Sequence, residues 1–116
     1  MPSTAPMHIL LVEDNEDQRE LTVEALMDKF PEARITETDN GSSALEILDH
    51  ESNFDAIILD YSLPGHNGLE VLFEINKRAS KTPVVMVTGQ GDESIAVEAM
   101  KNGAQDYIIK IRNYHE

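Results

Sequence analysis

Apolar residues in this chain alternate between short unbroken runs and stripes at helical spacing. His8 opens the run Ile9-Leu10-Leu11-Val12, and residues 16–30 follow with Leu21, Ala25 and Leu26 at helical spacing, Glu16 and Asp17 at the start and Pro31 as a stop. This predicts a strand over 8–12, then a helix that Asp14 or Asn15 would cap. Residues 34–38 (Arg-Ile-Thr-Glu-Thr) are β-branched but polar, which suits an edge strand with one wet face. Residues 42–50 carry Ala44, Leu45, Ile47 and Leu48 at helical spacing, with Gly41 as a turn and Ser42 or Ser43 as the cap. The run 56–59 reads as a strand covered on both faces, 64–68 (Pro-Gly-His-Asn-Gly) as a loop, and Leu69, Leu72, Phe73 and Ile75 as a third helix. Residues 83–87 form another buried strand, with Pro83 at its first position, where a missing donor is tolerated. A fourth helix over 92–101 turns Ile95, Ala96, Ala99 and Met100 to one side and ends before Gly103; Tyr107-Ile108-Ile109 is the fifth strand. Five strands with a helix in every connection predict an α/β domain, its parallel sheet joined by right-handed crossovers and clad by helices on both faces.

Four of the runs end on residues suited to phosphoryl chemistry: Glu13-Asp14, Asp60, Thr88 and Lys110. In one parallel sheet those ends align, and open α/β sheets bind ligands outside that edge. Taken singly, each residue has a plainer reading. Asp60 and Asp14 suit helix caps or loop anchors, Thr88 a strand-end threonine, Lys110 a solvated lysine, and Tyr107 an amphipathic edge aromatic. Taken together, three carboxylates in one place favour a divalent cation, which removes their mutual repulsion. With oxygen donors only, that cation is Mg²⁺ or Mn²⁺ rather than zinc. Lys110 would add about 4 kcal/mol of attraction for an anion at ~4 Å and an effective dielectric of about 20. The histidines His8, His50, His66 and His115 show no ligand spacing and are expected at surface or loop positions.

Composition narrows the class. With 116 residues, 41% hydrophobic and only 5% aromatic, the chain suits one domain with an aliphatic core. A net charge of −13, from 9 basic and 22 acidic residues, disfavours nucleic acid and anionic lipid. Cysteine is absent, which excludes disulfides and thiolate sites. The first residues lack the basic start of a signal peptide, and no apolar stretch approaches the ~20 residues of a membrane helix. A cytoplasmic protein is expected, with a flexible leader over residues 1–6 and its domain over 7–116.

The residues in order resemble the response-regulator receiver domain of two-component signalling. The resemblance runs over about residues 7 to 110 through Glu13-Asp14, the segment 60–68 (Asp-Tyr-Ser-Leu-Pro-Gly-His-Asn-Gly), Thr88-Gly89 and the segment 103–110 (Gly-Ala-Gln-Asp-Tyr-Ile-Ile-Lys). It implies a flavodoxin-like three-layer sandwich with sheet order 2-1-3-4-5. Asp60 would accept a phosphoryl group from a sensor histidine kinase or phosphotransfer protein. Asp14, Asp60 and the Ser62 carbonyl would hold Mg²⁺, with Glu13 direct or through water. Lys110 and Thr88 would contact the phosphoryl oxygens, and Thr88 with Tyr107 would switch the surface of helix four and strand five toward a downstream protein or output domain. Ser62 and Gln90 would tune hydrolysis, so that the chain is no enzyme beyond weak self-dephosphorylation.

Two departures stand out. The family's lysine is usually followed by a cis proline, whereas Ile111 follows Lys110 and predicts a trans bond. Six residues after Lys110 do not supply the family's fifth helix, so the fold is expected to stop after strand five and to self-associate through the face that helix would cover. Other classes fit less well. An aspartyl-phosphate phosphatase places a second acid where Ser62 stands, a flavin carrier needs a first loop less acidic than residues 13–17, and a non-phosphorylated interaction module would not need Asp60, Thr88 and Lys110 together.

Overall fold

The computed structural model describes residues 6–51, 53–79, 81–89 and 93–109. Strands β1 (His8–Val12), β2 (Arg34–Thr38), β3 (Ala56–Asp60), β4 (Val84–Thr88) and β5 (Asp106–Ile109) form one sheet in the order β2-β1-β3-β4-β5, and every pairing is parallel. Helices α1 (Glu16–Lys29), α2 (Gly41–His50), α3 (Gly68–Arg78) and α4 (Glu93–Lys101) fill the four connections. This is the flavodoxin-like α/β arrangement with order 2-1-3-4-5, and β2 is an edge strand.

Alternation divides the side chains of the sheet between two layers. Leu10, Val12, Ile57, Leu59, Val84 and Met86 face α2, α3 and α4 and pack with Ala44, Leu48, Val71, Leu72, Ile75 and Ala99 in one aliphatic core. Ile9, Leu11, Ile58, Val85, Val87 and Ile108 lie on the other face, as the registers Leu11↔Ile58, Ile58↔Val85 and Val87↔Ile108 require. Ile9 and Leu11 are buried there. Ile58, Val85 and Val87 are only half-buried, and Ile108 is 55% exposed.

Several local expectations need correction. In α1, Leu21 and Ala25 face solvent, while Thr22, Val23, Leu26 and Met27 turn inward with Arg19. The cap of α2 is Asn40, whose side chain accepts from the Ser43 amide, in place of Ser42 or Ser43. Part of the 64–68 loop is a two-residue ribbon, Ser62–Leu63 against His66–Asn67, turned by Pro64-Gly65 with Gly65 at φ 79°. Asn67 then caps α3 through a reciprocal pair with Glu70, which satisfies two otherwise orphaned donors. His8 is a core residue with 3% exposure, stacked on Phe54 at 4.2 Å, its Nε2 2.9 Å from Thr36 Oγ1. Lys110, the Ile111 peptide bond, Gln90 and the residues after strand five lie outside the described residues.

Candidate functional site

The site forms where β1, β3 and β4 end, because buried strands must stop on residues that can meet water at the sheet edge. Glu13 follows β1 directly, and its amide donates to the Thr38 carbonyl at 3.0 Å, which extends the β1–β2 ladder by one step. Its carboxylate is 3% exposed and accepts from the Asn15 amide at 3.2 Å. Asn15 in turn caps α1 by accepting from the Gln18 amide at 2.8 Å. Asp14 therefore stands exposed between two anchored neighbours.

Asp60 ends β3 with 3% exposure and accepts from the Ser62 amide at 3.2 Å. The structure brings Glu13, Asp14 and Asp60 together, with one carboxylate oxygen from each lying within 4.8 Å of the others. Such a spacing concentrates negative charge in a largely buried recess, a cost that a hard divalent cation removes. All donors are oxygen, and the exposed side at Asp14 leaves room for the waters that Mg²⁺ retains, so the residues fit that ion.

Thr88 ends the neighbouring strand, one position beyond Val87, which pairs with Asp60. It is fully buried, and its hydroxyl has no hydrogen-bond partner among the described residues. A buried orphan hydroxyl costs about 1–3 kcal/mol, so it marks a place where another demand overrides stability. Tyr107 lies on β5 opposite Met86 and is 38% exposed. Ser62 stands exposed on the ribbon beside Asp60.

Arg19 was missed by the reading of the sequence. Its Nη1 donates to the Glu13 carbonyl at 2.8 Å, and its Nε lies 3.3 Å from Glu37 Oε1 on β2. The available signal was that Arg19 is the only basic residue between Glu13 and Lys29. Gly68 was also passed over as loop, although an added Cβ there would meet Tyr61 Cα at 2.6 Å and the Asp60 carbonyl oxygen at 2.9 Å. Backbone packs directly behind the acid.

A doubly wound parallel sheet with an acidic recess and a buried orphan hydroxyl at its carboxyl edge defines an α/β domain that handles its ligand at that edge. The chain belongs to the response regulator receiver domain family, whose model matches residues 9–115. It is a receiver domain homologous to the phosphoacceptor response regulators of two-component signalling. The transcriptional regulatory protein FixJ of Azorhizobium caulinodans is 36% identical over 112 residues, covering 95% of this chain and 50% of FixJ. Among solved structures, the phosphorylated cyanobacterial phytochrome response regulator RcpA superposes with a TM-score of 0.83 at 30% identity, over 94% of this chain and 84% of that one. The response regulator TrrA of Thermotoga maritima, solved with Mg²⁺ and BeF, gives 0.79 at 30% identity, over 93% and 90%. The chain spans half or less of the length of the first curated relatives that it matches, from 41% to 50%. No described helix is long and apolar enough to cross a membrane.

Proposed function

We propose that Asp60 is the phosphoacceptor, that Glu13, Asp14, Asp60 and the Ser62 carbonyl hold Mg²⁺, and that Thr88, Lys110 and Tyr107 read the phosphoryl group. The observation that carries this reading is the juxtaposition of a three-carboxylate recess with the buried, partnerless Thr88 hydroxyl at the same sheet edge. A phosphohistidine of a sensor kinase or phosphotransfer protein is the donor. An oxygen of Asp60 attacks phosphorus, the N–P bond breaks as the O–P bond forms, and the imidazole leaves with the electron pair.

Mg²⁺, or Mn²⁺ with the same taste for oxygen, would offset the charge of the acids and of the phosphoryl oxygens. The residues of the chain do the rest. Burial of Asp60 limits water around the nucleophile, the Ser62 amide orients its carboxylate, and Lys110 supplies a fixed positive charge. Phosphorylation replaces the single negative charge of the Asp60 carboxylate with about −1.5 to −2 on the phosphoryl group, which gives the Thr88 hydroxyl an acceptor and biases the surface of α4 and β5 toward a downstream protein or output domain. Self-dephosphorylation is weak, and its setting is cytoplasmic. The domain is a single unit from residue 7 onward, and the half-open strip of Ile58, Val85, Val87 and Ile108 carries a homodimer, which a monomeric mass at high micromolar concentration would remove.

The test is incubation with Mg²⁺ and a small phosphodonor such as acetyl phosphate, followed by intact mass. One phosphoryl adduct is expected on the wild type and none on Asp60→Asn. No adduct on the wild type, or an adduct that survives Asp60→Asn, would falsify the assignment.

A further inference from the structure

Glu13, which precedes Asp14 in the acidic loop, is fixed by contacts from β2, from α1 and from the loop itself. The Glu13 amide is held by the Thr38 carbonyl, its side chain accepts from the Asn15 amide, and its carbonyl accepts from Arg19 Nη1 at 2.8 Å. The same guanidinium reaches Glu37 Oε1 at 3.3 Å through Nε. Arg19 thus uses two edges of one rigid plane to tie α1 and β2 to the last backbone carbonyl before Asp14. Its side chain is 20% exposed, and the Glu37 side chain is 44% exposed.

We infer that Arg19 is a positioning residue for the metal site, which fixes the β1–α1 loop so that Glu13 and Asp14 converge on Asp60 before any cation arrives. The inference rests on the Mg²⁺ reading above. It deepens that reading, because Arg19 touches neither the cation nor the phosphoryl group in the proposed arrangement.

A purely electrostatic role makes the opposite forecast. Arg19 is a cation near a cation site, so if charge were all that mattered, its removal would tighten Mg²⁺ binding. If positioning prevails, removal weakens binding despite the more negative site. Lysine separates the two further, since it keeps the charge but cannot span a carbonyl and a carboxylate with one plane. The sign of the change decides.

Mg²⁺ affinity of the whole chain is measured by calorimetric titration for wild type, Arg19→Met and Arg19→Lys. Amide hydrogen exchange at Asp14 and Asn15 is followed in metal-free protein. The expected result is a loss of about three- to tenfold in affinity for Arg19→Met, a smaller loss for Arg19→Lys, and faster exchange in both. Unchanged or tighter binding in Arg19→Met, or weaker binding with unchanged loop exchange, overturns the inference while leaving Mg²⁺ binding intact. A wild type that binds no Mg²⁺ refutes the underlying reading instead. Should Arg19→Met fail to fold, Arg19→Lys carries the test alone: equal affinity and equal exchange sink the proposal.

Discussion

Gly68→Ala tests how closely the fold supports the phosphoacceptor. Gly68 opens α3, and its amide donates to the Tyr61 carbonyl at 2.6 Å. In a helix, alanine is favoured over glycine by about 1 kcal/mol, so propensity alone forecasts a more stable protein. The packing opposes this. The added methyl would lie 2.6 Å from Tyr61 Cα, 2.9 Å from the Asp60 carbonyl oxygen and 3.2 Å from Met86 Sδ. Carbon atoms in contact sit at about 3.5–4.0 Å, so the first overlap is about 1 Å and falls on backbone, which no rotamer change relieves. Overpacking of this kind costs about 1–3 kcal/mol and sometimes more. Because the overlap falls on backbone, the upper part of that range applies, about 2–3 kcal/mol, and subtracting the propensity gain leaves a net loss of about 1–2 kcal/mol, read as a fall in Tm of roughly 4–8 °C for a domain near this length. Urea unfolding followed by circular dichroism gives the free energy directly. Because the displaced atoms belong to Asp60 and Tyr61, phosphoryl uptake should also slow at a temperature where both proteins are fully folded. Gly65→Ala is the control: Gly65 has φ 79° but nothing within 4 Å of an added Cβ, so it should lose stability through backbone strain and keep its rate of uptake. A Gly68→Ala protein as stable as wild type, or one as fast as Gly65→Ala, would refute the reasoning.

Two further outcomes follow from single contacts. Thr88→Val removes a hydroxyl with no partner among the described residues and should leave the unphosphorylated protein as stable or about 1 kcal/mol more stable in urea unfolding, yet reduce by about 1–3 kcal/mol the added stability that Mg²⁺ with beryllofluoride confers on wild type; a destabilised Thr88→Val would mean that the hydroxyl has a partner. The Glu74 carboxyl is held below its ordinary 4.5 by the Arg78 hydrogen bond and then by the Lys77 charge, so its contribution is present above that value and lost as pH falls through the lowered one. Glu74→Gln should therefore differ from wild type at neutral pH, converge with it in acid, and lose most of the difference in high salt because the pair is exposed; a gap that widens on acidification would contradict this.

The sheet was legible because buried parallel strands leave unbroken apolar runs, and each candidate acid or hydroxyl stood at or just past the end of such a run. Sequence order alone placed Glu13, Asp60 and Thr88 at one edge. The facing of α1 was not legible, since Leu21-Ala25 and Thr22-Val23-Leu26-Met27 offer two adjoining stripes, and only tertiary packing selects the second. Asn40-Gly41-Ser42-Ser43 offers capping residues at three positions, and one hydrogen bond to the Ser43 amide decides among them. A two-residue ribbon carries no periodicity to read. His8 and Arg19 escaped for a shared reason: their partners are distant in sequence, Phe54 and Thr36 for one, a backbone carbonyl and Glu37 for the other.

The energetics of Thr88 limit what it can do in the proposed switch. If a phosphoryl oxygen satisfies its hydroxyl, the relief of about 1–3 kcal/mol shifts a two-state balance roughly 5- to 150-fold. Reversal from 1:99 to 99:1 takes about 5.5 kcal/mol, so Thr88 by itself falls short. The remainder must come from charge. Asp60 and Glu13 are each 3% exposed, where salt screens little, and the net gain of about −0.5 to −1 charge on going from carboxylate to acyl phosphate acts at nearly full strength on whatever cation faces it. Charge supplies the energy, but the register chooses the direction in which it is felt. Thr88 pairs with Ile109 and Met86 with Tyr107, so a shift at the hydroxyl passes first to β5, whose Tyr107 and Ile108 are already partly in solvent. Glu13 and Asp14 adjoin β1 and β2, while Asp60 ends β3 and pairs with Val87, the residue before Thr88 on β4. In the proposed switch the acids bind metal and phosphoryl group, and the buried Thr88 hydroxyl, costly at rest, would carry the change from the end of β3 across β4 to β5.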